Sequence, residues 1–329
     1  MWLQQVLGGI MKPEQISIAI NELLGQIESN QRPANEVINA YTRSRRYIGS
    51  KDRRAITDGV WQALRNRPIP DWIQKLIPAA ELQAMKESAQ TILRANGDRL
   101  EIQKVLLNEG IETDLTALSP WGLVLKKRAN LTTTKAYQDG LIEVQDEGSQ
   151  LLALSTKVQP NETVLDYCAG AGGKSLAFAQ MMRNKGQIVA HDISEISLKK
   201  LRARAKRAGI SIIQTTQHPV GQFDHVVVDA PCSGTGTWRR QPDAPFKLTQ
   251  KQMKHSVEQQ KMILDKAVAF VKSKGYLHYM TCSLLNAENQ DQMRAFLRRH
   301  NDFKLCHHTQ FTPAKHHTDG FFLATFQKQ

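Results

Sequence analysis

The sequence predicts an α/β protein: a doubly wound, mostly parallel sheet behind an all-helical N-terminal domain. Three observations carry that expectation. From about residue 147, short apolar runs alternate with segments of helical period, the pattern of a parallel sheet covered by helices on both faces. Residues 1–78 show helical period only. A glycine-rich turn, Gly170-Ala-Gly172-Gly173-Lys174-Ser175, follows the first strand of the alternating region. Of 329 residues 41% are hydrophobic and 23% charged, an ordinary globular balance that excludes wholesale disorder.

The elements follow in chain order. Ile16, Ile20, Leu23, Leu24 and Ile27 recur at helical spacing, and Val37, Ile38 and Tyr41 continue a second helix after Pro33. A third is expected over about 52–66, with Ile56, Val60, Trp61 and Leu64 on one face. Pro68, Pro70 and Pro78 then break the chain, which puts a domain boundary at 78. Residues 79–110 read as helical. Residues 111–145 read as mixed, with short strands at 122–125 and 141–144, so 79–146 forms a mixed α/β connecting subdomain. The doubly wound domain occupies 147–329. Its strands are expected at 164–166, 188–191, 211–214, 225–229 and 276–281, with late strands near 303–305 and 321–326. Its helices are expected at 175–184, 195–208, 249–273 and 286–300. In such a sheet ligands sit at the carboxyl ends of the strands.

The net charge of +13 points to a polyanionic partner, nucleic acid ahead of an anionic membrane surface. Between Arg32 and Arg67 nine Arg and Lys face three carboxylates. Arg45, Arg46, Arg53 and Arg54 in that stretch are candidate phosphate contacts, and a solvated basic face is the alternative. Cys168, Cys232, Cys282 and Cys306 are far apart and include no C-x-x-C pair, which argues against a disulfide scaffold or a zinc ribbon. His300, His307, His308, His316 and His317 lack a matching acid or thiol arrangement, so no metal is expected. No apolar run reaches the roughly 18 residues of a membrane span, and residues 1–10 carry no positive leader. A cytoplasmic chain with no obligate protein partner is the resulting expectation.

The glycine loop excludes two common nucleotide motifs. A P-loop requires glycine at position 168, which is Cys168, and the dinucleotide fingerprint requires glycine at 175, which is Ser175. Asp192 closes the second strand, where a carboxylate can take both hydroxyls of a ribose. A glycine loop followed by that acid fits an adenosine ligand without a pyrophosphate, and S-adenosylmethionine is such a ligand. The fourth and fifth strands end in Asp229-Ala-Pro-Cys232 and Thr281-Cys282-Ser283. Neighbouring strand ends converge at the ligand crevice, so both cysteines are expected to face it.

These stretches resemble the Sun-type RNA cytosine-C5 methyltransferases, the RsmB family of bacterial rRNA enzymes. The matching runs span about 140–326 in order: Val144 to Gln150, Val164 to Ser175, Phe223 to Gly236, Arg239 to Asp243, Thr281-Cys-Ser283 with Glu288-Asn289, and Asp319 to Ala324. Leu93 to Asn96 and Lys51 to Trp61 match the family's N-terminal region more loosely. The resemblance implies a class I methyltransferase, Rossmann-like, with a seven-stranded sheet, and a NusB-like RNA-binding domain over 1–78. It implies S-adenosylmethionine as cofactor, held by Cys168, Ala169, Gly170, Gly172, Gly173, Lys174, Asp192 and Asp229. Cys282 would attack C6 of the cytosine, Cys232 would release the covalent product, and Asp229 would meet the cytosine edge near N3. Arg239 and Arg240 would meet the RNA beside the target base. The implied substrate is RNA, small-subunit rRNA ahead of tRNA.

The chain departs from the family pattern in places. Ala169-Gly170-Ala171 and Ser175 replace the usual loop residues, and Ser197 stands where an arginine is frequent. Gln214-Thr215-Thr216-Gln217 stands where an Asp commonly meets the adenine amine. That last change is the only support for a rival, a non-catalytic RNA-binding or assembly protein on the same fold.

Overall fold

A computed structural model describes residues 11–329, and the expectation about a leader in residues 1–10 lies outside the described residues. The chain divides into two compact units. The first runs to Ser88 and takes in Thr237–Thr249. Its helices Pro13–Glu28, Ala34–Ser44 and Ser50–Asn66 each present an apolar stripe. Leu23, Ile27, Val37, Ile38, Ile56, Val60 and Leu64 are buried together. Each such side chain taken out of water stabilises the unit by roughly 1.5–3 kcal/mol. The segment after Gly236 belongs to this core: Trp238 is buried, and Asp243 accepts from the Ala34 amide at 2.9 Å and pairs with Lys247 at 2.8 Å.

The second unit comprises Ala89–Gly236 and Gln250–Gln329. It opens with a four-stranded antiparallel sheet of β1 (Ile92–Ala95), β2 (Thr113–Leu115), β3 (Gly122–Leu125) and β4 (Ile142–Val144), in the order β2-β3-β1-β4. The expected helical run over 79–110 is therefore corrected: a strand interrupts it, between helices Ala79–Ala84 and Arg99–Asn108. β1 lies between β3 and β4 with all four residues buried, so it lacks the alternation that marks a half-exposed strand.

The larger sheet contains β5 (Thr163–Asp166), β6 (Gln187–His191), β7 (Ile213–Thr216), β8 (Phe223–Asp229), β9 (Val271–Thr281), β10 (Phe303–Phe311) and β11 (Phe321–Lys328). The order is β10-β11-β9-β8-β5-β6-β7, with β11 antiparallel to both neighbours and the remaining pairs parallel. The doubly wound, mostly parallel seven-stranded sheet is as expected. Strand order reverses between β5 and β8, the switch point where crevices open in such sheets. Several boundaries move, and the strand expected at 211–214 lies at Ile213–Thr216. The helix expected to 273 ends at Ala267, and β9 starts at Val271 by pairing with β8 at Phe223. β10 extends to Phe311, where His307, His308, Thr309 and Gln310 stand in place of an apolar run.

Candidate active site

The site is built at the carboxyl ends of β5, β6, β8 and β9. β5 ends at Asp166, which is 1% exposed and accepts from the Ser175 hydroxyl at 2.6 Å. Its Oδ1 is buried with no partner among the described residues. Burial pushes the Asp166 carboxyl up to about 7; the Ser175 hydrogen bond and Lys174 oppose the rise, and the Asp229 and Asp192 charges add to it. The loop then turns on Gly170 and Gly172, at φ +53° and +84°, left-handed positions that favour glycine. The helix Gly173–Met181 begins at the end of this loop. Ala171 O accepts from Arg204 at 2.7 Å, and Arg204 is anchored on Glu143 at 2.9 Å. The loop is thus tied to the smaller sheet through a buried ion pair.

Asp192 follows β6 and is half-buried. Its Oδ2 accepts from the Gly170 amide at 2.8 Å and its Oδ1 from the Ser194 amide at 2.8 Å. The expected cofactor loop and the expected ribose acid are therefore joined directly. At the end of β7, Thr215 accepts from Arg202 at 2.9 Å and Thr216 from the His218 amide at 3.0 Å, and just beyond it Gln217 donates to Ile193 O at 2.8 Å. Hydroxyls and an amide stand there instead of a carboxylate. Cys168 is half-buried; burial first, then the charges of Asp166, Asp229 and Asp192, push its thiol up, which leaves it a poor nucleophile. Ala169 is buried.

At the end of β8, Asp229 pairs with Lys174 at 2.5 Å. Burial acts to lower the Lys174 pKa, but Asp229 and Asp166 outweigh it, so the ammonium is held above its usual value. That pairing was not visible in sequence, where the two lie far apart. Cys232 follows β8 and Cys282 follows β9, and the parallel register of these strands brings the two sulfurs to 3.3 Å. The hydrogen bond to Cys282, then burial, then the charges of Cys282 and Glu288 push the Cys232 thiol well up. Around this pair lie residues to which sequence reasoning gave no role. Glu288 is buried and accepts from the Ser233 amide at 2.8 Å and hydroxyl at 2.5 Å. Gln260 donates to Glu288 at 3.0 Å and to Pro231 O at 3.0 Å. Asn289 accepts from the Thr281 hydroxyl at 2.6 Å and donates to Ser283 O at 2.8 Å. The signal available in sequence was the Glu288-Asn289 pair just past the Thr-Cys-Ser run.

The expected RNA contacts fall in the first unit. Arg46, Arg53, Arg54 and Arg240 are exposed. Arg45 packs over the Tyr41 ring at 3.6 Å and pairs with Glu22 at 3.7 Å. Arg54 pairs with Asp58 at 3.7 Å. Arg239 is 7% exposed and Trp238 is buried.

Comparison with known proteins is consistent with this geometry. A family model described as 16S rRNA methyltransferase RsmB/F matches residues 153–327. The "Probable ribosomal RNA small subunit methyltransferase B" of Bacillus subtilis (strain 168) is 30% identical over 329 residues, covering 89% of this chain and 73% of that protein. The Synechocystis sp. protein of the same name is 30% identical and the match covers 79% of this chain, which spans 66% of that protein's length. Among solved structures, the crystal structure of PH0851 superposes with a TM-score of 0.76 at 26% identity, covering 89% of this chain and 76% of that one.

Proposed function

Since the chain belongs to the RsmB/F family of 16S rRNA methyltransferases and so uses S-adenosylmethionine, we propose that it methylates C5 of a cytosine in small-subunit rRNA through a Cys282–C6 adduct. The loop after β5 fits that cofactor. A β-carbon on Gly170 would meet nothing within 4 Å, so the loop is open there, and Asp166 Oδ1 is a buried acceptor that lacks a partner. Gly170, Gly172, Gly173 and Lys174 would hold its amino-acid end, with Cys168 and Ala169 lining the loop, and Asp192 its ribose. When bound, the cofactor supplies an electrophilic methyl group.

Cytosine C5 is too electron-poor to take that methyl unaided. Addition of the Cys282 thiolate to C6 forms an S–C6 bond and moves the C5–C6 electron pair onto C5, which then takes the methyl group. A solvent base takes the C5 proton, the C5–H electron pair re-forms the C5–C6 double bond, and the S–C6 bond breaks with its pair on sulfur, which returns the Cys282 thiolate. One difficult step thereby becomes two easier ones. Asp229, held by Lys174 at 2.5 Å, would meet the pyrimidine edge near N3, where charge develops. Cys232 suits the release step. Its sulfur lies 3.3 Å from that of Cys282, close enough to hydrogen-bond the departing sulfur. A cytosine inside folded RNA must first be unstacked, at a cost of a few kcal/mol. The exposed arginines of the first unit would contact RNA phosphates.

The observation that carries this reading is the 3.3 Å approach of the two sulfurs beside the Lys174–Asp229 pair. The test supplies methyl-tritiated S-adenosylmethionine with unmodified 16S rRNA and digests the product to nucleosides. Label is expected in 5-methylcytidine, and Cys282→Ala should lower its formation by about a thousandfold or more, as loss of a nucleophile does. Label on another nucleoside would overturn the C5 reading. RNA binding with no label in rRNA or tRNA would favour the non-catalytic rival.

A further inference from the structure

The two reactive sulfurs stand on separate loops, and one turn of chain holds both. Cys232 is flanked by Pro231 and Ser233. Pro231 O accepts from Gln260, Ser233 donates its amide and hydroxyl to Glu288, and Gln260 also donates to Glu288. Cys282 is flanked by Thr281 and Ser283. Both are tied to Asn289, Thr281 through its hydroxyl and Ser283 through its carbonyl. Glu288 and Asn289 are adjacent, and both are 0% exposed. Tyr279, on β9 itself, donates to Glu288 O at 2.5 Å and to Gln260 at 3.2 Å, closing the network. The hydroxyls of Ser233, Thr235 and Ser283 further link the two loops, at 3.1–3.3 Å to Ser283.

We propose that Glu288 and Asn289 are positioning residues that fix the separation and direction of the Cys232 and Cys282 sulfurs, Glu288 through the loop after β8 and Asn289 through the loop after β9. This rests on the reading of the two cysteines given above. Neither residue has to touch the pyrimidine. A buried carboxylate held by Ser233 and Gln260, and a buried amide side chain held by Thr281 and Ser283, leave the loops one geometry. The reaction needs that geometry twice, because the sulfur that attacks C6 must lie close to the group that assists its departure. A misplacement of about 1 Å costs on the order of a hundredfold in rate.

The test uses the full chain and four proteins: wild type, Glu288→Ala, Glu288→Gln and Asn289→Ala. Glutamine retains an acceptor for the Ser233 amide and for Gln260 while removing the charge. In methyl transfer, kcat should fall at least tenfold in Glu288→Ala and Asn289→Ala, with KM for S-adenosylmethionine and RNA within about twofold. Glu288→Gln should recover to within about threefold of wild type. A second readout needs no RNA. Diamide takes two electrons and two protons from a pair of thiols, forming a disulfide, and the Cys232–Cys282 linked peptide can be followed by mass. Sulfurs held together should close rapidly in wild type, tenfold slower in the two alanine variants, and near the wild-type rate in Glu288→Gln. Unchanged closure rates in the alanine variants would overturn the proposal, as would a Glu288→Gln protein as impaired as Glu288→Ala. If the disulfide closes fast in wild type and slowly in the alanine variants, yet wild type transfers no methyl group, the proposed function sinks and the positioning role stands.

Discussion

Asp166 shows what burial does to a single residue in this site. An exposed aspartate titrates near 3.9, whereas burial brings Asp166 to about 7. Between those values the folded chain keeps a proton that the unfolded chain has released. Its contribution to stability is therefore complete below pH about 4 and is lost as pH rises through about 7. Asp166→Asn removes the titration, so its Tm should fall less than that of wild type between pH 5 and pH 8. Equal slopes would contradict the assignment. At this scale the sequence was legible where chain order alone brings residues to strand ends: Cys232, Cys282, Asp229 and Asp192 could all be placed at the crevice. Lys174 against Asp229, and the burial of Glu288 and Asn289, depend on side chains meeting across strands and loops, which no local pattern records.

Among the elements, the connection from β8 to the first unit is tightly enclosed at Gly236. The Gly236 amide donates to Cys282 O at 3.0 Å, and the Gly320 amide donates to Gly236 O at 2.8 Å. A β-carbon on Gly236 would overlap the Gly320 backbone, which has no side chain to swing aside. Gly236→Ala should therefore destabilise the protein by about 1–3 kcal/mol or more, the range for overpacked sites. Denaturant unfolding that finds the variant as stable as wild type would show that the loop can shift. The same scale explains which elements the sequence hid. β5, β6 and β8 are short apolar runs bounded by turn residues, so they read plainly. β1 escaped because it is buried on both faces within a run that otherwise reads as helical. The start of β9 escaped because Val271 continues the apolar spacing of the helix before it, and only pairing with β8 makes it a strand.

Across the whole molecule, the cysteine pair lies in the second unit and the expected phosphate contacts lie in the first. The positive excess was legible at once from composition, and its clustering near Arg45, Arg46, Arg53 and Arg54 is reproduced as side chains that are exposed, apart from the partly covered Arg45. The assignment of Thr237–Thr249 to the first unit was not legible, since the hydrogen bond from the Ala34 amide to Asp243 spans 209 residues of chain. Replacing the four arginines by alanine should weaken RNA binding. The slope of log K against log salt should fall by up to about 0.7–0.9 for each phosphate the protein no longer neutralises. An unchanged slope in a filter-binding titration would move the RNA surface elsewhere. All of this converges on one covalent bond between protein and RNA. The most direct measurement incubates Cys232→Ala with S-adenosylmethionine and 16S rRNA and resolves the products on a denaturing gel. A slow-migrating protein–RNA adduct through Cys282 is expected, absent when Cys282→Ala is added. An adduct that forms in Cys282→Ala instead, or none in either single variant, would contradict it.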